Sequence, residues 1–140
     1  MDWLEKRFNE FKKSREERNA VVSASEDIYA DVWGKIVAAV QPANTHGARL
    51  VLNGFPLHYV MRMGDRNFSL VLADDKCSIE ARFSDAEPII ISLRMCEDGT
   101  VCLRCVGATL TPASAAQLIM ERFLFEGGSP FVVPIASGTD

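Results

Sequence analysis

The residues that carry chemical potential are four cysteines, two histidines, one adjacent pair of aspartates and a set of arginines spaced for one face of a sheet. Cys102-Leu103-Arg104-Cys105 spells a CxxC, the spacing that zinc ribbons and redox sites place on a turn so that both sulfurs converge. Here it falls inside a predicted strand. Residues three apart on a strand point to opposite faces, so Cys102 is expected to face water and Cys105 the core. With no second pair and no nearby histidine, all four cysteines, Cys77 and Cys96 included, are expected to be plain reduced thiols, and no metal or cofactor is expected.

The remaining titratable groups do not converge. His46 precedes the sheet in a loop, and His58 stands on an outer face near Arg49. Asp74 and Asp75 sit in a turn, where acids are ordinary and bring no further oxygen ligands at metal spacing. No GxSxG, HExxH, phosphate-binding loop or dinucleotide glycine pattern occurs, so catalysis is not expected.

The elements that must position these groups follow from periodicity. Six short segments between Ala48 and Val106 alternate apolar and polar residues with period two, each closed by a turn signal, which predicts one antiparallel meander with one oily and one wet face. Asn53-Gly54 reads as a two-residue hairpin turn that pairs Leu52 with Phe55 and Leu50 with Leu57 inside, and Arg49 with His58 outside. Turns about Asp65-Arg66 and Asp74-Asp75 set Met63 against Phe68 and Leu72 against Cys77. The loop Ser84 to Pro88 lets Phe83 meet Ile89. Glu97-Asp98-Gly99, with Gly99 in the left-handed position, pairs Met95 with Val101.

All five connections agree on one inner face. They put Arg49, Arg62, Arg82, Arg94 and Arg104 outside with Glu80 as the lone carboxylate, in a polar row Arg62, Ser69, Glu80, Ser92, Arg104. Arg forks suit planar oxyanions, so Arg62, Glu80, Arg82, Arg94 and Arg104 form the candidate surface for an acidic partner.

Ahead of the sheet, residues 2–22 form a densely charged amphipathic helix with Trp3, Leu4, Phe8 and Phe11 at helical spacing. Ser23-Ala24-Ser25-Glu26 matches a capping box, which predicts a fresh helix over 23–41, ended by Pro42 and Asn44. After the sheet, Thr111-Pro112 opens a helix over 112–126 that Gly127-Gly128 stops. This helix is apolar almost all round. The tail 129–140 holds a short edge strand or docking segment to Ile135, followed by loose residues.

The expected architecture is an α+β two-layer sandwich in a single domain, 1–140, with a six-stranded sheet and its helices on one face. The chain has 140 residues, 48% of them hydrophobic, enough to bury a core without metal or disulfide. Its net charge of -4 argues against general nucleic-acid binding, as does the absence of aromatics at the outward positions. No run is apolar enough to span a membrane, and Met1 to Arg7 are charged where a secretory signal would be apolar, so a cytoplasmic setting is expected.

Two functions fit this outline. The first is a non-catalytic protein-interaction module, homodimeric through its apolar end segments, that takes a partner on the arginine face. The second is a small-ligand binder or simple enzyme with a pocket between sheet and helices, lined by Met61, Met63 and Met95.

Overall fold

The computed structural model describes residues 2–132. It is an α+β sandwich: one long helix, a seven-stranded antiparallel meander in sequential order, and a C-terminal helix. Helix α1 runs unbroken from Trp3 to Ala38, and a one-turn continuation, α2 (Val40–Thr45), follows it. The helix does not restart at Ser23. Ser25 is fully buried and its hydroxyl donates to the Val22 carbonyl at 2.8 Å, so it satisfies itself within the helix instead of capping a new one.

Pro42 does not end the helical path either, because it lies in the first turn of α2, where the missing N–H costs nothing. Asn44 instead ties α2 to the sheet. Its Oδ1 accepts from the Leu50 N–H at 2.6 Å and its Nδ2 donates to the Leu50 carbonyl at 3.3 Å.

The strands are β1 (Leu50–Phe55), β2 (His58–Met63), β3 (Arg66–Leu72), β4 (Ser78–Phe83), β5 (Ile89–Met95), β6 (Val101–Cys105) and β7 (Ala108–Leu110). The seventh, only three residues long, lies beyond the predicted end of the sheet. The β5–β6 register is the predicted one, with Met95 opposite Val101 and Leu93 opposite Leu103. Gly99 holds φ 84° as its bulge requires.

The three hairpins from β2 to β5 keep the inner face but slide by two residues. Phe68 faces Met61 and Phe83, Leu72 faces Ile79, and Ala81 faces Ile89. A shift of two preserves every side chain's face, so alternation alone cannot tell these registers apart.

The first turn is Pro56-Leu57, not Asn53-Gly54. Proline's fixed φ suits the first corner position, and Leu57 takes the second at φ 71°. Asn53 and Gly54 extend β1, which moves Phe55 to the outer face, opposite His58. His58 therefore pairs with Phe55 and Val71 and not with Arg49.

Helix α3 (Pro112–Phe125) opens as expected, with Thr111 accepting from the Ser114 N–H at 3.0 Å and Pro112 at its first position. The core lies between the inner sheet face and the helices. From α1 it takes Tyr29, Val32, Trp33 and Ile36, and from α3 Ala115, Ile119 and Phe123. Met61 and Met63 are buried in it as filler. The expected tail strand is not formed by Ser129–Val132, which make turns, and its residues 133–135 lie outside the described residues, as do the loose residues 136–140.

The turn from β6 to β7, Val106-Gly107, has positive φ at both residues, 49° and 80°, the pattern of a type I′ hairpin. A β-branched residue is strained there, and Val106 is fully exposed, so it packs against nothing in return. Val106→Asn is expected to stabilise the fold by about 1 kcal/mol. A urea midpoint that does not rise would contradict this.

Candidate functional site

No described element lies over the outer face of the sheet, because the helices pack on the opposite side. The register fixes what this face carries. One row crosses five strands as Phe55, His58, Val71, Glu80 and Ile90. Phe55 and Ile90 stand out at 64% and 53% exposed. The Phe55 ring lies 5.4 Å from that of His58. Contrary to expectation, an aromatic therefore sits on this face.

Of the predicted polar row only the last pair, Ser92 with Arg104, forms. Arg62 faces Val51 and Asn67, Arg82 faces Ser69, and Glu80 sits between Val71 and Ile90. Arg94 faces Cys102, while Arg104 sits between Ser92 and Thr109 and donates to the Gly107 carbonyl at 2.9 Å. Of these groups only Glu80 and Arg82 are brought together, Arg82 Nε lying 3.3 Å from Glu80 Oε1. An exposed pair of this kind contributes little to stability. What results is a row that alternates apolar and polar side chains, with Arg82 flanking it on one side and Arg104 on the other. Arg49 is exposed at φ 57°, just ahead of β1.

Two of the cysteines are not free. Cys96 and Cys102 form a disulfide with a Cα–Cα separation of 6.0 Å, which corrects the expectation of four reduced thiols. The pairing crosses the β5–β6 hairpin on the outer face. Cys105 has inner parity, as expected, and packs against the core with Cys77. The CxxC is thus not a unit. Among the described residues, no group of three or more His, Cys, Asp or Glu is placed to hold a metal ion.

The charged residue that sequence reasoning missed is Arg66, which it assigned to a turn. Arg66 is 7% exposed and enters β3 opposite Met63. Its Nε lies 2.7 Å from Asp85 Oδ2, Nη1 donates to the Phe123 carbonyl at 2.6 Å, and Nη2 to the Glu126 carbonyl at 3.3 Å. Its guanidinium also lies 5.0 Å from the Phe123 ring centre. It therefore caps the C-terminus of α3, where carbonyls lack helical partners and a cation is favoured. The bond from Arg66, with a further one from the Gly128 N–H, holds the Asp85 carboxyl below the ordinary carboxylate range. This cluster clamps the end of α3 to the sheet, with Arg66 buried and Asp85 at the surface.

Hollows occur both between the helices and where helix meets sheet, the latter including one of about 550 Å³ lined by Ile90, Ala108 and Leu110 of the sheet and Leu118 and Arg122 of α3. A cleft of about 350 Å³ is lined by Pro42, Ala43, His46, Leu124, Phe125 and Phe131, between helices and not between helix and sheet. Of the three methionines proposed as lining, only Met95 reaches a surface hollow, beside Ser14, Arg18 and Cys77. The N-terminal half of α1 projects past the sheet, and every residue from Asp2 to Asn19 is exposed, with Trp3 at 74%. No described helix is long and apolar enough to cross a membrane.

The fold and this face define a two-layer α+β sandwich with one uncovered sheet surface. No protein-family profile, curated protein or solved structure matches the chain.

Proposed function

We propose that the chain is a non-catalytic protein-interaction module that receives a partner bearing acidic and apolar side chains on its outer sheet face. The observation that carries this is the composition of that face: Phe55, Val71 and Ile90 alternate along one row with His58 and Glu80, exposed arginines stand on the same face, and no described element lies over it. Arginine and aromatic residues are the types enriched in protein interfaces, and an arginine stem spreads over an apolar neighbour while its fork seeks a carboxylate. A phosphate backbone suits the face less well, because Glu80 occupies its centre and Phe55 is its one aromatic side chain apart from His58.

The test is an array of acidic peptides containing aromatic residues, probed with the native chain and with the double variant Arg82→Glu, Arg94→Glu. Both positions are exposed and hold no core contact, so the fold is expected to survive by circular dichroism. Binding to the peptides that the native chain retains is expected to fall at least about tenfold, since two attractive charge contacts become repulsive. Equal binding by the two proteins would remove this surface from consideration.

A further inference from the structure

The Cys96–Cys102 pair sits in a setting that neither cysteine's packing requires. Both residues are only partly buried and share the outer face with two arginines. Arg94 is directly opposite Cys102 in the register and two residues before Cys96, and Arg104 is two residues beyond Cys102. Together they line a hollow of about 530 Å³, which Met95, Glu97 and Asp98 complete. Asp98 is turned into its own loop, accepting from the Thr100 N–H at 3.0 Å and hydroxyl at 2.6 Å. Glu17 and Arg18 of α1 flank the adjoining hollow on the other side of Arg94. The bridge thus opens to solvent with the carboxylates Glu97 and Asp98 at its Cys96 end and Arg94 opposite Cys102, so Cys102 is the sulfur at which a cation is placed to stabilise a thiolate.

The hairpin, moreover, is closed without the bridge. The Cys96 N–H donates to the Thr100 carbonyl at 2.7 Å and the Gly99 N–H to the Cys96 carbonyl at 3.0 Å, while Leu103 anchors β6 in the core. Breaking the S–S bond therefore leaves the two sulfurs adjacent and the strands paired. From this geometry we infer that Cys96 and Cys102 form a reversible thiol–disulfide exchange site for a dithiol partner, whether a small dithiol or a redox protein.

In the reducing direction a partner thiolate attacks Cys96 Sγ, the Cys96–Cys102 bond breaks, and the electron pair leaves on Cys102 as a thiolate facing Arg94. The partner's second thiol then displaces Cys96 from the mixed disulfide. Two electrons and two protons pass to the pair, and the partner becomes a disulfide. Cys77 and Cys105 take no part, since both pack against the core.

The experiment cycles the full chain between oxidised and reduced dithiothreitol and reads each cysteine by differential alkylation and peptide mass. The pair is expected to open and reclose with unchanged circular dichroism. With Arg94 opposite it, the opened Cys102 is expected to alkylate about fourfold faster than an ordinary thiol. Arg94→Met is expected to abolish that gain, and Arg62→Met, on a distant strand, to keep it. Loss of structure on reduction, failure to reoxidise, or a Cys102 alkylation rate indifferent to Arg94 would each overturn the assignment. The outcome is independent of whether the outer face binds acidic peptides.

Discussion

Replacing Arg66 by methionine is expected to destabilise the protein by about 3 kcal/mol, the largest loss from any single charged residue described. Methionine keeps much of the buried volume, so the effect isolates the guanidinium from its stem. Three acceptors lose the guanidinium at once: the Asp85 carboxylate, which keeps only the Gly128 N–H, and the carbonyls of Phe123 and Glu126, the latter still accepting from the Ser129 N–H. A buried ion pair broken on one side costs about 3–5 kcal/mol. Asp85 is partly exposed and can rehydrate, which pulls the figure toward the lower end. For a domain of this size the loss corresponds to a fall in Tm of roughly 10 °C.

The same pair gives a pH dependence of known sign. Arg66 depresses the Asp85 pKa in the folded state, so folding favours the ionised carboxylate. That contribution is fully present above the unfolded carboxylate value of about 3.9 and is lost as pH falls through the folded value below it. In Asp85→Asn this part of the acid unfolding curve is expected to flatten, while stability at neutral pH drops. If acid midpoints of the native chain and Asp85→Asn coincide after correction for their neutral stabilities, Asp85 is not linked to folding in this way.

Arg66 also shows where the sequence stops being legible. Alternation assigns faces correctly from Met61 to Leu103, though not at Phe55: the inner residues there are buried or, like Phe83, Met95 and Val101, partly buried, and the arginines Arg62, Arg82 and Arg94 are exposed. Register depends on turn length, which a period of two leaves open. Placing the second turn at Asp65-Arg66 instead of Gly64-Asp65 hid a cation at inner parity, and inner parity was the one signal that could have revealed it.

The disulfide escaped for the same class of reason. Its partners lie six residues apart across a hairpin, and only their common outward parity and the Glu97-Asp98-Gly99 turn bring them together. The capping-box pattern at Ser23 failed because local hydrogen bonding competes with burial. Packing of Ser25, Tyr29, Val32 and Ile36 along one face holds the helix continuous through it. The seventh strand was missed because three residues give too little alternation to register, although Val106-Gly107 marked its turn.

Tyr29 joins α1 to the middle of the β2–β3 ladder, and removing its hydroxyl is expected to cost about 1–2 kcal/mol. The hydroxyl accepts from the Tyr59 N–H at 3.2 Å and donates to the Leu70 carbonyl, the two backbone groups of a single register pair. Tyr29→Phe leaves the ring packed near Tyr59, which itself stacks on Trp33 at 4.7 Å, so the loss measures the hydrogen bonds alone. A cost near zero would mean that Tyr59 and Leu70 close their rung directly once the hydroxyl is gone.

Alkaline titration separates these cases. Burial pushes the Tyr29 phenol up to about 12, above the ordinary value near 10, because the phenolate would lose its hydration. The unfolded chain therefore gives up this proton at lower pH than the folded one. Stability from the group is complete below the unfolded pKa near 10 and is lost as pH rises toward and through 12, on the order of 3 kcal/mol in all. The native chain is expected to lose stability across that window more steeply than Tyr29→Phe. Parallel curves would place the Tyr29 hydroxyl in contact with water and detach α1 from the ladder it spans.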